Sequence, residues 1–133
     1  MDSQPEPLFT NANIVFTYTR AEAIADGVLV DLSANFPVDT RMFKWNVCCT
    51  EAVWNLIESA AETDNCEVGV YVWDVCFMAF EMISHVRNPD HPELFYKVCL
   101  PITSPAKQLK IVAGPVSHED PTPCLTIMLP HED

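Results

Sequence analysis

The stretch from Val68 to Val86 constrains this chain more than any other. Apart from Asp74, Glu81 and His85, which fall on about one line of a helix, it is apolar nearly all round. Such a helix needs packing partners on most sides, which predicts the buried centre of a fold. It does not predict a membrane span. The most apolar part, Val68 to Ile83, is about 16 residues long and is interrupted by two carboxylates, whereas a span takes about 20 apolar residues.

A second helix precedes it. Thr50 offers an N-cap, and from Glu51 to Ala61 the residues Val53, Trp54, Ile57, Ala60 and Ala61 share one face. Glu51, Asn55, Glu58 and Glu62 share the other, the pattern of a half-buried helix. Thr63 to Cys66 breaks the two helices apart.

The remainder reads as β-structure. Ile14 to Tyr18 is β-branched and aromatic, and Val28 to Leu32 is extended. Between them Thr19 and Glu22 form a capping box, with Gly27 as the C-terminal stop of a two-turn helix. Ser33 to Thr40 is a loop, and Phe43 to Cys49 is either a strand or the lead-in to the following helix. Leu94 to Leu100 and Lys107 to Ala113 form a hairpin. Cys124 to Leu129 is almost continuously apolar, which predicts a central strand.

The expected fold is therefore α+β: two main helices packed on one face of a small antiparallel sheet, with a short N-terminal strand-helix-strand unit. A chain of 133 residues supports one domain, placed at 14–133 behind a mobile arm at 1–13.

Charge carries the functional signal. Nineteen acids against seven bases leave a net charge of −12. That field repels nucleic acid and anionic membranes and draws the chain toward basic surfaces. Between Trp45 and Val86 stand seven acids and no Lys or Arg. The partner-binding candidates are Glu51, Glu58, Glu62, Asp64 and Glu67, facing a basic protein surface; the alternative is a face that only confers solubility.

A duplex presents one charge per about 1.7 Å. The three helical glutamates are spread over about 16 Å at about 1.5 Å per residue, so this face alone is at most a partial DNA mimic. Asp31, Asp39, Asp90, Glu93, Glu119 and Asp120 are the acids available to extend it.

Signatures of catalysis are absent. Three glycines build no phosphate-cradling loop, and there is no G-x-S-x-G. The six cysteines include no C-x-x-C pair and no zinc spacing with histidine. Cys48 and Cys49 are adjacent, and Cys76, Cys99 and Cys124 lie in apolar runs, as buried reduced thiols do. His85 and His91 flank a proline turn and read as solvated. No cofactor and no metal are expected. Met1 to Pro7 lacks the charge and apolar core of a signal peptide, so the expected compartment is the cytoplasm.

Three stretches carry a family likeness: Phe16 to Asp31, Trp73-Asp74-Val75, and Thr126 to Pro130 before the closing His-Glu-Asp. With them the chain, from Ile14 onward, resembles a family of small uncharacterised proteins encoded by bacteriophages, plasmids and other mobile elements. The resemblance implies a setting rather than a reaction: the cytoplasm of a bacterial host, and inhibition of a defence system of the anti-CRISPR or anti-restriction type. The partner would be a nuclease complex whose basic nucleic-acid-binding surface is occupied. Two alternatives stand beside it: a small enzyme with a pocket around Tyr18, Arg20 and Asp31, or a homodimeric interaction module. In the plainer view of that motif, Arg20 pairs with Asp26 or Glu22.

Overall fold

The computed structural model describes residues 20–85, 93–101, 106–115 and 119–132. The arm at 1–13, the strand read at Ile14 to Tyr18, and His91 lie outside them. The described chain opens with helix α1 (Arg20–Ala25), strand β1 (Leu29–Asp31), the single-turn helix α2 (Leu32–Asn35) and strand β2 (Val47–Thr50). Helices α3 (Glu51–Thr63) and α4 (Val68–His85) follow, then strands β3 (Glu93–Val98), β4 (Lys107–Pro115) and β5 (Pro123–Met128).

Local chemistry sets the helix ends. Gly27, at φ 79°, ends α1; the Val28 amide reaches the Ala23 carbonyl at 2.9 Å and the Gly27 amide reaches Ile24 at 3.1 Å, a Schellman turn. Thr50 caps α3 by accepting the Val53 amide. Asn65, at φ 52°, ends that helix in the same way, with the Cys66 amide on Ala61. Asparagine tolerates this left-handed conformation better than most side chains.

The class is α+β. The five strands run in the order β1-β2-β5-β4-β3. Three pairings are antiparallel, and β2 and β5 lie parallel. The parallel pair arises because α3, α4 and the β3–β4 hairpin all intervene before β5 returns beside β2. β5 is the central strand, in keeping with its apolar sequence. Phe43 to Cys49 resolves into a strand beginning at Val47, and the loop read at Ser33 to Thr40 begins inside α2.

The core lies between one sheet face and the two long helices. Val47, Cys49, Tyr96, Leu109, Ile111 and Ile127 from the sheet meet Val53, Ile57, Val72, Val75, Cys76 and Ala79 from the helices. Burying an aliphatic side chain of this kind contributes about 1.5–3 kcal/mol.

Helix α4 departs from its expected place. It buries Tyr71, Val72, Val75, Cys76 and Ala79, yet Val70, Trp73 and Met78 are exposed. A two-layer fold covers a helix on one side only, so an all-round apolar sequence leaves an apolar outer face. Stacking of Trp73 on Phe77 at 4.7 Å, and of Phe80 edge-on to Phe43 at 5.9 Å, hides part of that surface. None of the described helices is long and apolar enough to cross a membrane.

Candidate functional site

The spacing of Glu51, Asn55, Glu58 and Glu62 puts them on one stripe of α3, and all four are exposed. The opposite stripe buries Val53, Ile57, Ala60 and Ala61. Asp64 and Glu67, in the turn to α4, are also exposed. The five acids are therefore all exposed, three on one stripe of α3 and two in the turn that follows it. Glu58 and Glu62 border an open depression of about 480 Å³ between the helices, with Asn55, Ser59, Cys66 and Val68.

These carboxylates have unequal structural reasons to be there. Glu51 sits in the first turn of α3 and Glu67 just before the first turn of α4, where helix dipoles favour negative charge. Asp64 accepts the Tyr71 hydroxyl at 3.0 Å; burial, and then this bond, push the Tyr71 phenol up to about 12. Among the described residues Glu58 has no such partner, and it stands away from the favourable end of the dipole. Glu62 lies in the last turn of α3, which contains no basic residue, and Asp64 is the C-cap. Negative charge at that end opposes the dipole; Asp64 offsets this through its bond to Tyr71, and Glu62 has no such compensation among the described residues.

Four of the six acids considered as extensions of this face are engaged elsewhere. Asp31 caps α2 by accepting the Ala34 amide at 3.0 Å. Asp39 lies against Gly69 in the first turn of α4, Glu93 lies 3.8 Å from Lys110, and Asp120 accepts the Thr122 amide. Glu119 is exposed, and Asp90 is outside the described residues.

The other candidate group lies on the sheet face away from α3 and α4. Register places Asp31, Cys48 and Thr126 in one cross-strand row. Arg20 reaches this row from α1, donating to Thr126 Oγ1 at 3.0 Å and to the Leu125 carbonyl at 2.7 Å. Its Nε is buried without an acceptor among the described residues. Tyr18 is outside them. Burial pushes the Cys48 thiol up to about 11 although Arg20 draws it down, so it is protonated at neutral pH and a poor nucleophile. Arg20 and Asp31 thus already hold α1 to β5 and cap α2.

All six cysteines are free thiols; Cys48, Cys49, Cys76 and Cys124 are buried, while Cys99 is exposed despite its apolar neighbours. Cys99 follows the end of β3, where the chain leaves the sheet. Among the described residues no three His, Cys, Asp or Glu side chains are grouped to hold a metal ion.

Sequence reasoning missed Glu132, which reads as part of an acidic tip. Its Oε1 accepts the Thr50 hydroxyl at 2.8 Å and the Leu129 amide at 2.7 Å. It also missed that Asp64 is shared with Tyr71. The seven-residue separation, two helical turns, was the available signal, but it spans a turn that sequence does not orient.

Residues 6–133 match the family of unknown function DUF6573, and the chain belongs to that family. No match was found among curated proteins or solved structures.

Proposed function

Because the family carries no assigned activity, we propose from the site itself that this is a binding protein, docking through the acidic face of α3 on a basic partner. One observation carries the reading. Glu62 stands in the last turn of α3, where the dipole opposes its charge, Glu58 stands one turn before it with no partner among the described residues, and residues 46–85 contain no Lys or Arg to neutralise them. Sites that break a local rule without structural gain are where function is expected.

The partner in this reading is a nuclease complex of a bacterial defence system, of the CRISPR or restriction type, bound over its nucleic-acid groove. The negative net charge supports it by steering the chain toward basic grooves. The spacing of the acids supports local occupation of a groove rather than imitation of a whole duplex.

The test is retention of host proteins on the immobilised chain from bacteria that carry such systems, read by mass spectrometry, with phage plating on the same hosts. A nuclease subunit retained by the native chain and lost with Glu58→Lys/Glu62→Lys supports the proposal. No nuclease retained and plating unchanged overturns it. Retention that survives the charge reversal places the contact elsewhere on the molecule.

A further inference from the structure

Strand β3 is the last in the sheet, so its outer backbone edge has no strand beside it among the described residues. Such an edge presents unpaired amides and carbonyls and recruits another strand unless blocked. Alternation directs Glu93, Phe95 and Lys97 to one face, and all three are exposed. Phe95 is 43% accessible. Beside the edge runs an apolar groove of about 490 Å³, lined by Met78, Met82, Phe95 and Tyr96 with Glu81 and His85.

The exposed face of this strand is self-complementary. Phe95 is flanked two residues before by the acid Glu93 and two residues after by the base Lys97. In an antiparallel pair centred on Phe95, each Glu93 faces Lys97 of the other copy and the two Phe95 rings face each other. Cross-strand pairs of these kinds stabilise a sheet.

We propose that β3 pairs with β3 of a second copy of this chain, joining two sheets across a two-fold axis at Phe95. In that arrangement the α4 helices meet over the joint, and the Met78 and Met82 side chains of each copy fill the other's groove. The isologous geometry follows from the symmetry, since the same patch serves both copies. Repulsion between two chains of net charge −12 opposes the pairing at long range. Physiological salt shortens that repulsion to about 8 Å, while the Glu93–Lys97 contacts act at short range. The acidic face of α3 lies on a different element and is not consumed.

Sedimentation of the full chain over a micromolar concentration series, at physiological salt, should show a monomer–dimer equilibrium. Lys97→Glu turns both cross-strand pairs into carboxylate contacts and should leave a monomer. Glu93→Lys turns them into ammonium contacts and should do the same, while an equal mixture of the two variants should re-form a dimer.

Glu93→Lys also removes the Lys110 contact, so a cross-link supplies an independent readout. In a Cys99→Ser background, Phe95→Cys should give a disulfide-linked dimer on mild oxidation, because paired Cα atoms lie about 4.5–5.5 Å apart, within disulfide reach. Glu93→Cys should not, because position 93 faces 97. A native chain that stays monomeric and a Phe95→Cys variant that does not cross-link overturn the proposal. A dimer indifferent to Lys97→Glu, or a β3 edge that takes up only an unrelated strand peptide, also overturns it.

Discussion

The Thr50 hydroxyl donates to Glu132 Oε1 at 2.8 Å while accepting the Val53 amide at 3.4 Å. One side chain therefore caps α3 and ties that cap to a residue 82 positions later. Glu132 in turn receives the Leu129 amide just past β5. Its carboxylate stands at the N-terminal end of α3, where the dipole favours it.

Glu132→Ala should therefore act as a fold mutation, although nothing in the local sequence marks the residue as structural. It leaves the Leu129 amide and the Thr50 hydroxyl without their acceptor. Urea unfolding should show a loss of about 1–2 kcal/mol. Thr50→Ala should cost about 1 kcal/mol through the cap alone. The double variant should cost less than the sum, because both changes remove one shared bond. Additive costs would show that the two residues act separately.

Arg20 holds α1 against β5 through two hydrogen bonds, and neither partner is near it in sequence. Arg20→Ala should destabilise the chain by about 2 kcal/mol, in the range for hydrogen bonds from charged donors. Arg20→Lys should recover only part of this, since an ammonium lacks the planar fork that reaches Thr126 and Leu125 together. Hydrogen exchange should localise the loss to α1 and β1. Protection there unchanged in Arg20→Ala would show that the anchor is redundant.

Most of the architecture was legible because the signals are local. The Thr50 cap, the Gly27 stop and the alternating apolar stripe of α3 each depend on neighbours within one or two turns. The central place of β5 followed from its nearly uninterrupted apolar run. What was hidden depends on pairing at a distance. The parallel β2–β5 contact has no local mark, and its register aligns Cys48 with Thr126. The exposed face of α4 was hidden for another reason: composition records that Val70 and Trp73 are apolar, not how many layers the fold has. At the candidate site the exposure of Glu51, Glu58 and Glu62 was readable from periodicity, and that of Asp64 and Glu67 from their place in the break between the helices. Which of them the fold itself uses was not, because that depends on Tyr71 and on where each helix ends.

The buried thiols predict an alkaline limit to stability. Burial raises Cys48 from 9.0 to about 11 and Cys76 from 9.0 to about 12. The native state thus holds protons that the unfolded chain releases above about pH 9. By linkage, stability is full below that pH and falls as pH rises through the native values. Urea midpoints should decline from about pH 9 toward 12, and Cys76→Ala should flatten the decline. At neutral pH a thiol reagent should modify Cys99 readily and the four buried cysteines only on unfolding. Rapid labelling of Cys48 in the folded chain would contradict its burial.

The strongest separation of function from stability is expected at Glu58 and Glu62. Both are exposed and neither supports the core. Glu62 faces the negative end of the α3 dipole, so Glu62→Lys replaces an opposed charge with a favoured one. Glu58→Lys/Glu62→Lys should therefore leave the unfolding midpoint unchanged or slightly higher. If this surface docks on a basic groove, the same variant sets like charges against each other and should weaken retention about tenfold or more, since each 1.4 kcal/mol is tenfold. Glu51→Gln should behave oppositely, losing some stability at the N-terminal end of α3 with a smaller effect on retention. Thermal unfolding and quantitative pull-down on the same preparations distinguish these outcomes. A charge reversal that destabilises the chain without changing retention would identify the acids as structural.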